Sequence, residues 1–382
     1  MRATRTTSEG PLRALDFFAG SGLVSVGLQP HFDTVWANDI CPKKAAVYSA
    51  NFPQHELMPM DLRDVHGGEL PEADLAWASF PCQDLSLAGN MSGLNRGTRS
   101  SLFWEWIRVL AELKANDKCP SILCAENVVG FLHAGRGKHF KAAYAALRKL
   151  GYVAGAVVLD ASWFLPQSRP RVFLIAVSEQ APWRRLAQAA PSAPFHNRAV
   201  IQAANVADDP EWVWWSLPSP RGRVGSFWEI CDHDAPTDSS QKTRELLKLL
   251  SESNQRKLQT ILRSGSFAVG TGYRRTRPDD DGRKTQRLEI RFDGIAGCLR
   301  TPEGGSSRQI VLIVKDGTVR SRLMTVRECA RLMGADEQFV LPGTYNDGYR
   351  AMGDAVAVPV TGFLSEHLFA PLARGRTKVS AA

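Results

Sequence analysis

Short apolar runs alternate with amphipathic stretches between residues 12 and 178, and this alternation constrains the fold of the 382-residue chain more than any other feature. Two of the amphipathic stretches, 102–110 and 140–147, carry apolar residues at helical spacing. Strands that alternate with helices are typical of a parallel sheet covered on both faces. The sequence therefore predicts a doubly wound α/β domain that binds ligands at the carboxyl ends of its strands. The predicted strands begin near Leu12, Thr34, Leu75, Ser121, Val153 and Arg171.

A change of composition after residue 180 indicates a second, smaller domain of mixed structure. Prolines punctuate the stretch up to residue 220, and residues 271–291 are rich in arginine, aspartate and glycine. We expect residues 12–180 and 321–370 to form one domain and residues 181–320 to form the other. Residues 1–11 and 371–382 are expected to be flexible tails. The tryptophans of the second region, Trp212, Trp214 and Trp215, are expected to pack in a core rather than stack on a ligand.

Charge and cysteine content narrow the class of protein. A net charge of +8 and a pI near 9.2 favour a polyanionic partner. No apolar run approaches the roughly 20 residues that span a bilayer, and no apolar segment follows the N-terminal residues as in a signal peptide. Seven cysteines without a Cys-x-x-Cys pair suit a reducing compartment better than a disulfide framework or a zinc site. We expect a cytoplasmic protein without a bound metal.

Three chemically active types of side chain are predicted to meet at one edge of the sheet. One apolar run ends at Pro81, so Cys82 opens the following loop, and the next apolar run ends at Glu126. Arg169 and Arg171 precede a third run. A lone cysteine is most often a small buried side chain. An acid and two guanidinium groups at the same edge favour a nucleophile instead.

The turn after the first strand predicts a nucleoside site. Gly20 and Gly22 allow the backbone to approach a ligand closely before a helix begins. Asp39 ends the next strand, where it can accept hydrogen bonds from ribose hydroxyls or cap the following helix. A dinucleotide would favour a complete Gly-x-Gly-x-x-Gly pattern, and the third glycine is missing here.

Five short sequence blocks occur along the chain in the order Asp16-Phe17-Phe18-Ala19-Gly20-Ser21-Gly22, Pro81-Cys82-Gln83, Glu126-Asn127-Val128, Gln167-x-Arg169-x-Arg171 and Gly353-Asp354-Ala355-Val356. In this order they resemble the DNA cytosine-5 methyltransferase family. Each block alone is weak evidence, whereas the shared order is strong. The resemblance implies a Rossmann-like methyltransferase domain with a smaller target-recognition domain, S-adenosylmethionine as cofactor, S-adenosylhomocysteine as product and double-stranded DNA as substrate.

The resemblance also implies the reaction. The Cys82 thiolate would add to carbon 6 of a cytosine, which turns carbon 5 into a nucleophile that takes the methyl group. Glu126 would bind N3 and the exocyclic amine, and Arg171 would contact O2. Arg169 is expected to order the site by pairing with neighbouring acids.

Cofactor contacts are implied at the glycine turn, at strand ends and in the last block. One of them, Asp354, stands where the family more often has asparagine, and it is expected either to repel the cofactor carboxylate or to bind its ammonium group. The implied contacts are Phe18, Gly20, Ser21, Gly22, Asp39, Ile40, Asp61, Leu62, Phe80, Leu102, Asp354, Ala355 and Val356.

Duplex DNA buries the reacting carbon, so the cytosine must be extruded from the helix. The glycine-containing loop 83–100 is expected to close over the extruded base. Gln83 and Ser86 are candidates to fill the space that the extruded cytosine leaves in the DNA helix. Arg96 and Arg99 are candidates to contact DNA phosphates. Further DNA contacts are expected in the smaller domain, at Arg274, Arg275, Arg277, Gly304, Gly305, Ser306 and Arg308.

Other readings remain open. A tRNA cytosine-5 methyltransferase of the same fold also uses Pro-Cys-Gln, although its Cys-Phe-Thr signature is absent from this sequence. A non-catalytic DNA-binding member is disfavoured by the presence of Cys82, Glu126 and Arg171. An NAD-dependent oxidoreductase would explain the first strand and nothing after it. We expect a monomeric prokaryotic modification enzyme, with a restriction endonuclease or a defence system as a partner.

Overall fold

The computed structural model describes residues 10–81, 102–223, 225–278, 282–301 and 308–375. A seven-stranded sheet lies at its centre, and most of its strands are parallel. The strands are β1 (Leu12–Phe17), β2 (Phe32–Asn38), β3 (Leu57–Met58), β4 (Leu75–Ala78), β5 (Ile122–Val128), β6 (Tyr152–Asp160) and β7 (Pro170–Ser178). Their order across the sheet is β3-β2-β1-β4-β5-β7-β6.

Helices cover both faces of this sheet, which confirms the doubly wound prediction. Alternate residues of β4 point to opposite sides: Trp77 belongs to one buried cluster, whereas Ala76 and Ala78 belong to the other. Leu23 packs in the first cluster and Trp106 in the second, and both are almost completely buried. The helices of this part are α1 (Leu23–Leu28), α2 (Pro42–Asn51), α3 (Leu102–Ala115), α4 (Lys138–Lys149) and α5 (Arg198–Ala207).

Strand β7 departs from the predicted parallel arrangement. It pairs antiparallel with both β5 and β6. Only residues 161–169 connect β6 to β7, and a parallel pair needs a crossover of about a dozen residues or more. The predicted parallel sheet thus contains one antiparallel strand, and the start of β7 lies beside the carboxyl end of β5.

Beyond residue 181, where the sequence predicted a domain boundary, the chain continues to pack on the first sheet through Trp215. The amide of Val213 donates to the carbonyl of Ala154 at 2.9 Å, and the Trp215 side chain is completely buried. The predicted packing role of Trp212 and Trp215 is confirmed by their burial. A Cβ atom at Gly155 would lie 1.8 Å from the Val213 carbonyl oxygen, so this crossing requires glycine. Two short strands, β8 (Ala187–Gln188) and β9 (Trp214–Trp215), pair here.

The smaller sheet has its own core. It is antiparallel throughout and is covered on one face by helices whose apolar residues, including Leu258, pack against Leu288 and Leu312. Its last strand extends to Leu323, so the expected boundary at residue 320 falls inside a strand. The elements are α6 (Phe227–Ile230), α7 (Ser240–Leu247), α8 (Glu252–Arg263), β10 (Ala268–Pro278), β11 (Lys284–Arg291), β12 (Gln309–Lys315) and β13 (Thr318–Leu323), in the sheet order β11-β10-β12-β13.

The chain then returns to the first sheet through α9 (Val326–Met333), α10 (Tyr345–Asp354), α11 (Val358–Leu364), a π-helical turn (Ser365–Phe369) and α12 (Ala370–Arg374). Leu372 is completely buried, which corrects the expectation that a flexible tail begins at residue 371. The helical run Tyr345–Arg374 is long and apolar enough to cross a bilayer, but 61% of its apolar window is buried inside the protein, as in a core helix.

Gln167 connects this first domain to the element that leads into β12. Its side chain is completely buried, donates to the carbonyl of Leu332 at 2.7 Å and accepts from the amide of Leu299 at 3.1 Å. Its backbone forms a parallel bridge with Ala296. Residues 296–299 are thus held on the first domain, although they lie between two strands of the smaller sheet.

Candidate active site

A cavity of about 1100 Å³ opens at the carboxyl ends of β1, β4 and β5. Glu126 and Arg171 lie in its wall, and so does Pro81, the residue before Cys82. All but two of the predicted cofactor residues line the same cavity: Phe18, Gly20, Asp39, Ile40, Asp61, Leu62, Phe80, Leu102, Asp354, Ala355 and Val356. One cavity therefore brings together the predicted cofactor site and the predicted base-binding residues.

Asp39 holds the glycine turn and also faces the cavity. One carboxylate oxygen accepts the amide of Gly20 at 2.9 Å, and the other accepts the amide of Cys41, just before α2, at 2.7 Å. The two readings of Asp39, ligand contact and helix cap, are therefore compatible, because each carboxylate oxygen keeps a lone pair for a hydroxyl. Phe18 at the end of β1 has a φ of 58°, an unusual conformation for a non-glycine residue.

Ser21 and Gly22 do not line the cavity as the described residues define it. The Ser21 hydroxyl donates to the carbonyl of Ala351 at 3.4 Å. Gly22 has a φ of 86°, and a Cβ atom there would lie 2.5 Å from the Phe52 ring. Both residues shape the turn by packing, and their direct contact with the cofactor stays a prediction.

The rest of the cavity wall around the predicted nucleoside site has a polar part at Asp61 and an apolar part at Ile40. Asp61 accepts from the amide of Arg63 at 3.0 Å and from its Nε at 3.1 Å, which fixes the short turn around Leu62. Ile40 is 63% exposed on the cavity wall, where a flat apolar ring would cover it. This division suits an adenine ring with an exocyclic amine.

Asp354 is neutralised by a neighbour that the sequence reasoning missed. Lys44 Nζ lies 2.6 Å from one carboxylate oxygen, and Thr301 donates its hydroxyl to the other. Burial opposes the charge on Lys44, yet Asp354 and Asp39 together raise the pKa of this lysine. The extra acid of the last block is therefore one half of an ion pair in the cavity wall, and no sequence motif marks its partner.

Glu126 is held in a setting that favours its protonated form. Its side chain is buried, and burial raises its pKa even though Arg171, Arg169 and a hydrogen bond with Ser79 act in the opposite direction. Arg171 Nε lies 3.1 Å from Oε1 of Glu126. A raised pKa increases the fraction of the carboxyl group that carries a proton, and a protonated carboxyl group can donate to a ring nitrogen.

Arg169 binds carbonyls rather than the expected acids. Its guanidinium group donates to the carbonyls of Leu299 at 2.9 Å, Gly353 at 2.8 Å and Ala355 at 2.6 Å. The side chain is almost completely buried, and burial together with the nearby Arg171 lowers its pKa to about 10. The prediction that Arg169 orders the site stands, but the carbonyl partners replace the acids.

Cys298 was not singled out from the sequence, and it lies between two cavities. Arg169 Nη1 is 3.4 Å from its sulfur. Burial opposes ionisation, but Arg169 and Arg171 outweigh it and lower the pKa of the Cys298 thiol. A second cavity, of about 400 Å³, shares Pro170, Cys298 and Arg300 with the first and is lined further by the smaller sheet.

Several predicted residues lie outside the described part of the chain, namely Cys82, Gln83, Ser86, Arg96, Arg99, Gly304, Gly305 and Ser306. Of the other predicted DNA contacts, Arg308 donates to the side chain of Asn346 at 2.6 Å. Arg274, Arg275 and Arg277 all lie on β10. Within the described ranges, no three His, Cys, Asp or Glu residues are grouped to hold a metal ion.

A mostly parallel α/β sheet with one cavity at its strand ends, lined by a glycine turn, an acid and guanidinium groups, defines an enzyme of the Rossmann-like, nucleoside-binding class. A model of the C-5 cytosine-specific DNA methylase family matches residues 12–370. The chain therefore belongs to the C-5 cytosine-specific DNA methylase family, as the sequence resemblance predicted.

Relatives extend over most of the chain. Type II methyltransferase M.MspI of Moraxella sp is 26% identical over 361 residues, which cover 93% of this chain and 69% of that protein. Type II methyltransferase M.BanI of Aneurinibacillus aneurinilyticus is 26% identical over 429 residues, which cover 94% and 96% of the two chains. Both matches extend over both predicted domains, since each covers more than nine-tenths of this chain.

Solved structures share the fold. The methyltransferase EhMeth of Entamoeba histolytica aligns with a TM-score of 0.61 at 16% identity and covers 95% of this chain and 99% of its own. A putative DNA modification methyltransferase encoded within an E. coli prophage aligns with a TM-score of 0.54 at 20% identity and covers 95% and 99%. The predicted fold, that of an S-adenosylmethionine-dependent methyltransferase, is confirmed.

Proposed function

We propose that this enzyme transfers a methyl group from S-adenosylmethionine to carbon 5 of a cytosine in duplex DNA, within a specific sequence context. The observation that carries the proposal is that Glu126 and Arg171 line the same cavity as Asp39, Phe80 and Val356. A base and a nucleoside cofactor bound at these two ends would have their reacting atoms in one enclosed space.

The cavity residues fit the cofactor. Asp39 would hold the ribose hydroxyls, Ile40 the adenine face and Asp61 the adenine amine. The cavity also offers apolar surface for the rest of the molecule, from Phe80, Leu102 and Val356. When bound, S-adenosylmethionine supplies an electrophilic methyl group on a sulfonium. The residues of the chain have the tasks of placing the cytosine and of activating its carbon 5.

Activation begins with Cys82, whose thiolate would form a bond to carbon 6 of the extruded cytosine. Glu126, with its raised pKa, would give a proton to N3 and so offset the negative charge that this addition creates. Arg171 would hold O2, and its Nε, 3.1 Å from Oε1, would keep Glu126 in place. After carbon 5 takes the methyl group, a base removes its proton, the ring double bond re-forms, the Cys82 thiolate leaves and N3 returns its proton to Glu126.

The two sheets would have separate roles in catalysis and in DNA recognition. The seven-stranded sheet and the returning helices α9 to α12 would carry the residues that bind the cofactor and the cytosine. Residues 216–323, which include the smaller sheet, would recognise the DNA sequence. The printed names of the relatives, Type II methyltransferases, support a modification enzyme of a restriction system. We propose a cytoplasmic monomer that works beside a separate endonuclease.

Tritiated S-adenosylmethionine with duplex DNA, with RNA and without nucleic acid tests this function. We expect label only in DNA, and bisulfite sequencing of the product would give the base and its context. Label in RNA alone would establish the tRNA-directed alternative and refute the proposal.

Cys82→Ser supplies the matched control, since a serine hydroxyl is far less ionised at neutral pH. This variant should bind DNA without methylating it. DNA that carries 5-fluorocytosine should form a denaturant-resistant adduct with the wild type, because fluorine cannot leave carbon 5 as a proton does. An active enzyme that forms no adduct would contradict addition to carbon 6.

A further inference from the structure

The register of β10 and β11 separates the arginines of β10 onto two faces of the smaller sheet. Residues that pair directly across an antiparallel ladder point to the same face. Arg274 pairs with Leu288, and Gly272 pairs with Ile290. Leu288 and Ile290 pack in the core formed with the helices α7 and α8. Arg274 therefore points to the helix-covered face.

The opposite face continues outward from the catalytic cavity. Thr271 and Tyr273 lie on it, paired with Arg291 and Glu289. All four line the smaller cavity, which shares Pro170, Cys298 and Arg300 with the catalytic cavity. A strand of DNA that leaves the catalytic cavity on this side would meet this face first.

Arg275 and Arg287 are the next directly opposed pair on that face. Directly opposed Cβ atoms lie about 5 Å apart, and like charges in such a pair destabilise a sheet. The neighbouring arginines have acidic partners. Arg277 Nε is 3.6 Å from Glu289 Oε1, and Arg291 Nη2 is 2.5 Å from Asp293 Oδ2. Among the described residues no carboxylate lies within 4 Å of Arg275 or Arg287.

Both side chains are half-buried, and Arg275 Nη1 is 3.5 Å from the Tyr273 hydroxyl. The register thus places two positively charged residues opposite each other, with no described carboxylate within 4 Å, and this favours a site for one anion. Guanidinium groups bind phosphate oxygens through paired, charge-assisted hydrogen bonds. An anion between them would also relieve their mutual repulsion.

We propose that Arg275 and Arg287 jointly bind one backbone phosphate of the DNA beside the extruded cytosine, and that Arg274 does not contact DNA. This inference rests on the proposed function, and it adds Arg287 to the DNA contacts that the sequence predicted. It assigns this pair to positioning of the DNA backbone rather than to reading of bases.

The test measures DNA affinity as a function of salt concentration for Arg275→Gln, Arg287→Gln, the double variant and the control Arg274→Gln. The probe is a labelled duplex that contains the methylated site. Each bound phosphate contributes about 0.9 to the slope of log K against log salt. In the double variant the magnitude of this slope should fall by about 0.9 in total. Arg274→Gln should keep the wild-type slope. The preferred sequence should stay the same, and the melting temperature of the double variant should equal or exceed that of the wild type.

Three results would overturn the inference: an unchanged slope in the double variant, a loss of about 1.8 that indicates two separate phosphates, or an equal loss in Arg274→Gln. A change of site preference without a change of slope would assign base contacts instead and would also refute it. Methylation by the wild type is followed on the same duplex. If the wild type bound DNA without methylating it, the proposed function would fail, and the slopes measured on that duplex would still decide the two-arginine site.

Discussion

Arg171 reaches Glu126, with 3.1 Å between Nε and Oε1, because the strand that carries the arginine runs antiparallel to the strand that carries the acid. In the ladder, Arg171 pairs with Val128 and Phe173 pairs with Glu126. A parallel β7 would have placed its first residues at the opposite edge of the sheet. The short reversal over residues 161–169 therefore places both ends of the ion pair in the cavity.

Glu126→Gln should lower kcat by about 10²- to 10⁴-fold, because glutamine keeps the shape of the side chain but has no proton to transfer. Burial raises the pKa of Glu126, so the wild type should lose kcat/KM as the pH rises through that pKa and the carboxyl group gives up its proton. The glutamine variant should lack this descending limb. A profile with the same limb in both enzymes would assign the titration to another group.

Arg169→Met should impair folding and cofactor binding together. It leaves the carbonyls of Leu299, Gly353 and Ala355 without their donor. An unsatisfied buried group costs about 1–3 kcal/mol, so the free energy of unfolding should fall by roughly 3 kcal/mol or more. Urea unfolding and calorimetry with S-adenosylmethionine measure the two effects, and Arg169→Lys should lie between the variant and the wild type. A methionine variant with wild-type stability and cofactor affinity but no turnover would show that Arg169 contacts the base directly.

Lys44→Met should weaken cofactor binding because it leaves Asp354 as an uncompensated charge in the cavity wall. We expect that charge to repel the cofactor carboxylate. Asp354→Asn in the same chain should restore most of the affinity, with a coupling free energy of about 1 kcal/mol between the two positions. Calorimetry on the two single variants and the double variant completes the cycle. Additive losses would mean that the ion pair has no bearing on the cofactor.

Asp16→Asn should change how stability depends on pH. Burial raises the pKa of Asp16 from 3.8 to about 7, although the hydrogen bond from Ser25 acts against this shift. The folded protein thus holds this proton more tightly than the unfolded chain, and the stability from the protonated acid is lost as the pH rises from about 4 to 7. Relative to the wild type, the asparagine variant should gain up to roughly 4 kcal/mol across this range. Urea unfolding at both ends of the range measures the gain, and a constant difference would show that Asp16 stays ionised.

The sequence predicted the central sheet because its strands are continuous apolar runs, and the expected starts at Leu12 and Leu75 agree with the structure. Asp39 and Glu126 were placed correctly for the same reason, since both close such a run. Strand direction was not predicted for β7, because an apolar run looks the same in either direction. The length of the 161–169 connection was the available signal.

The partners of Arg169 could not be predicted in this way. They are backbone carbonyls 130 to 186 residues away, and a carbonyl has no sequence signature. The continued packing beyond residue 181 was not predicted, because proline- and tryptophan-rich composition indicates a change of local structure and not a change of packing partner. Trp215 belongs to the core of the first sheet despite that composition.

Gln167 has a consequence for engineering new site specificity. Because it clamps residues 296–299 onto the first sheet, a recognition cassette taken from a relative must stop short of Ala296. On the other side, buried residues of the same core continue past Trp215 to Phe227 and Cys231. The natural splice points for a chimaera therefore lie after Cys231 and near Gly294. The strands beyond the clamp, β12 and β13, would need to be grafted as a second, separate insert. Exchange of the region as one continuous block would replace residues 296–299, which Gln167 holds, together with the recognition residues.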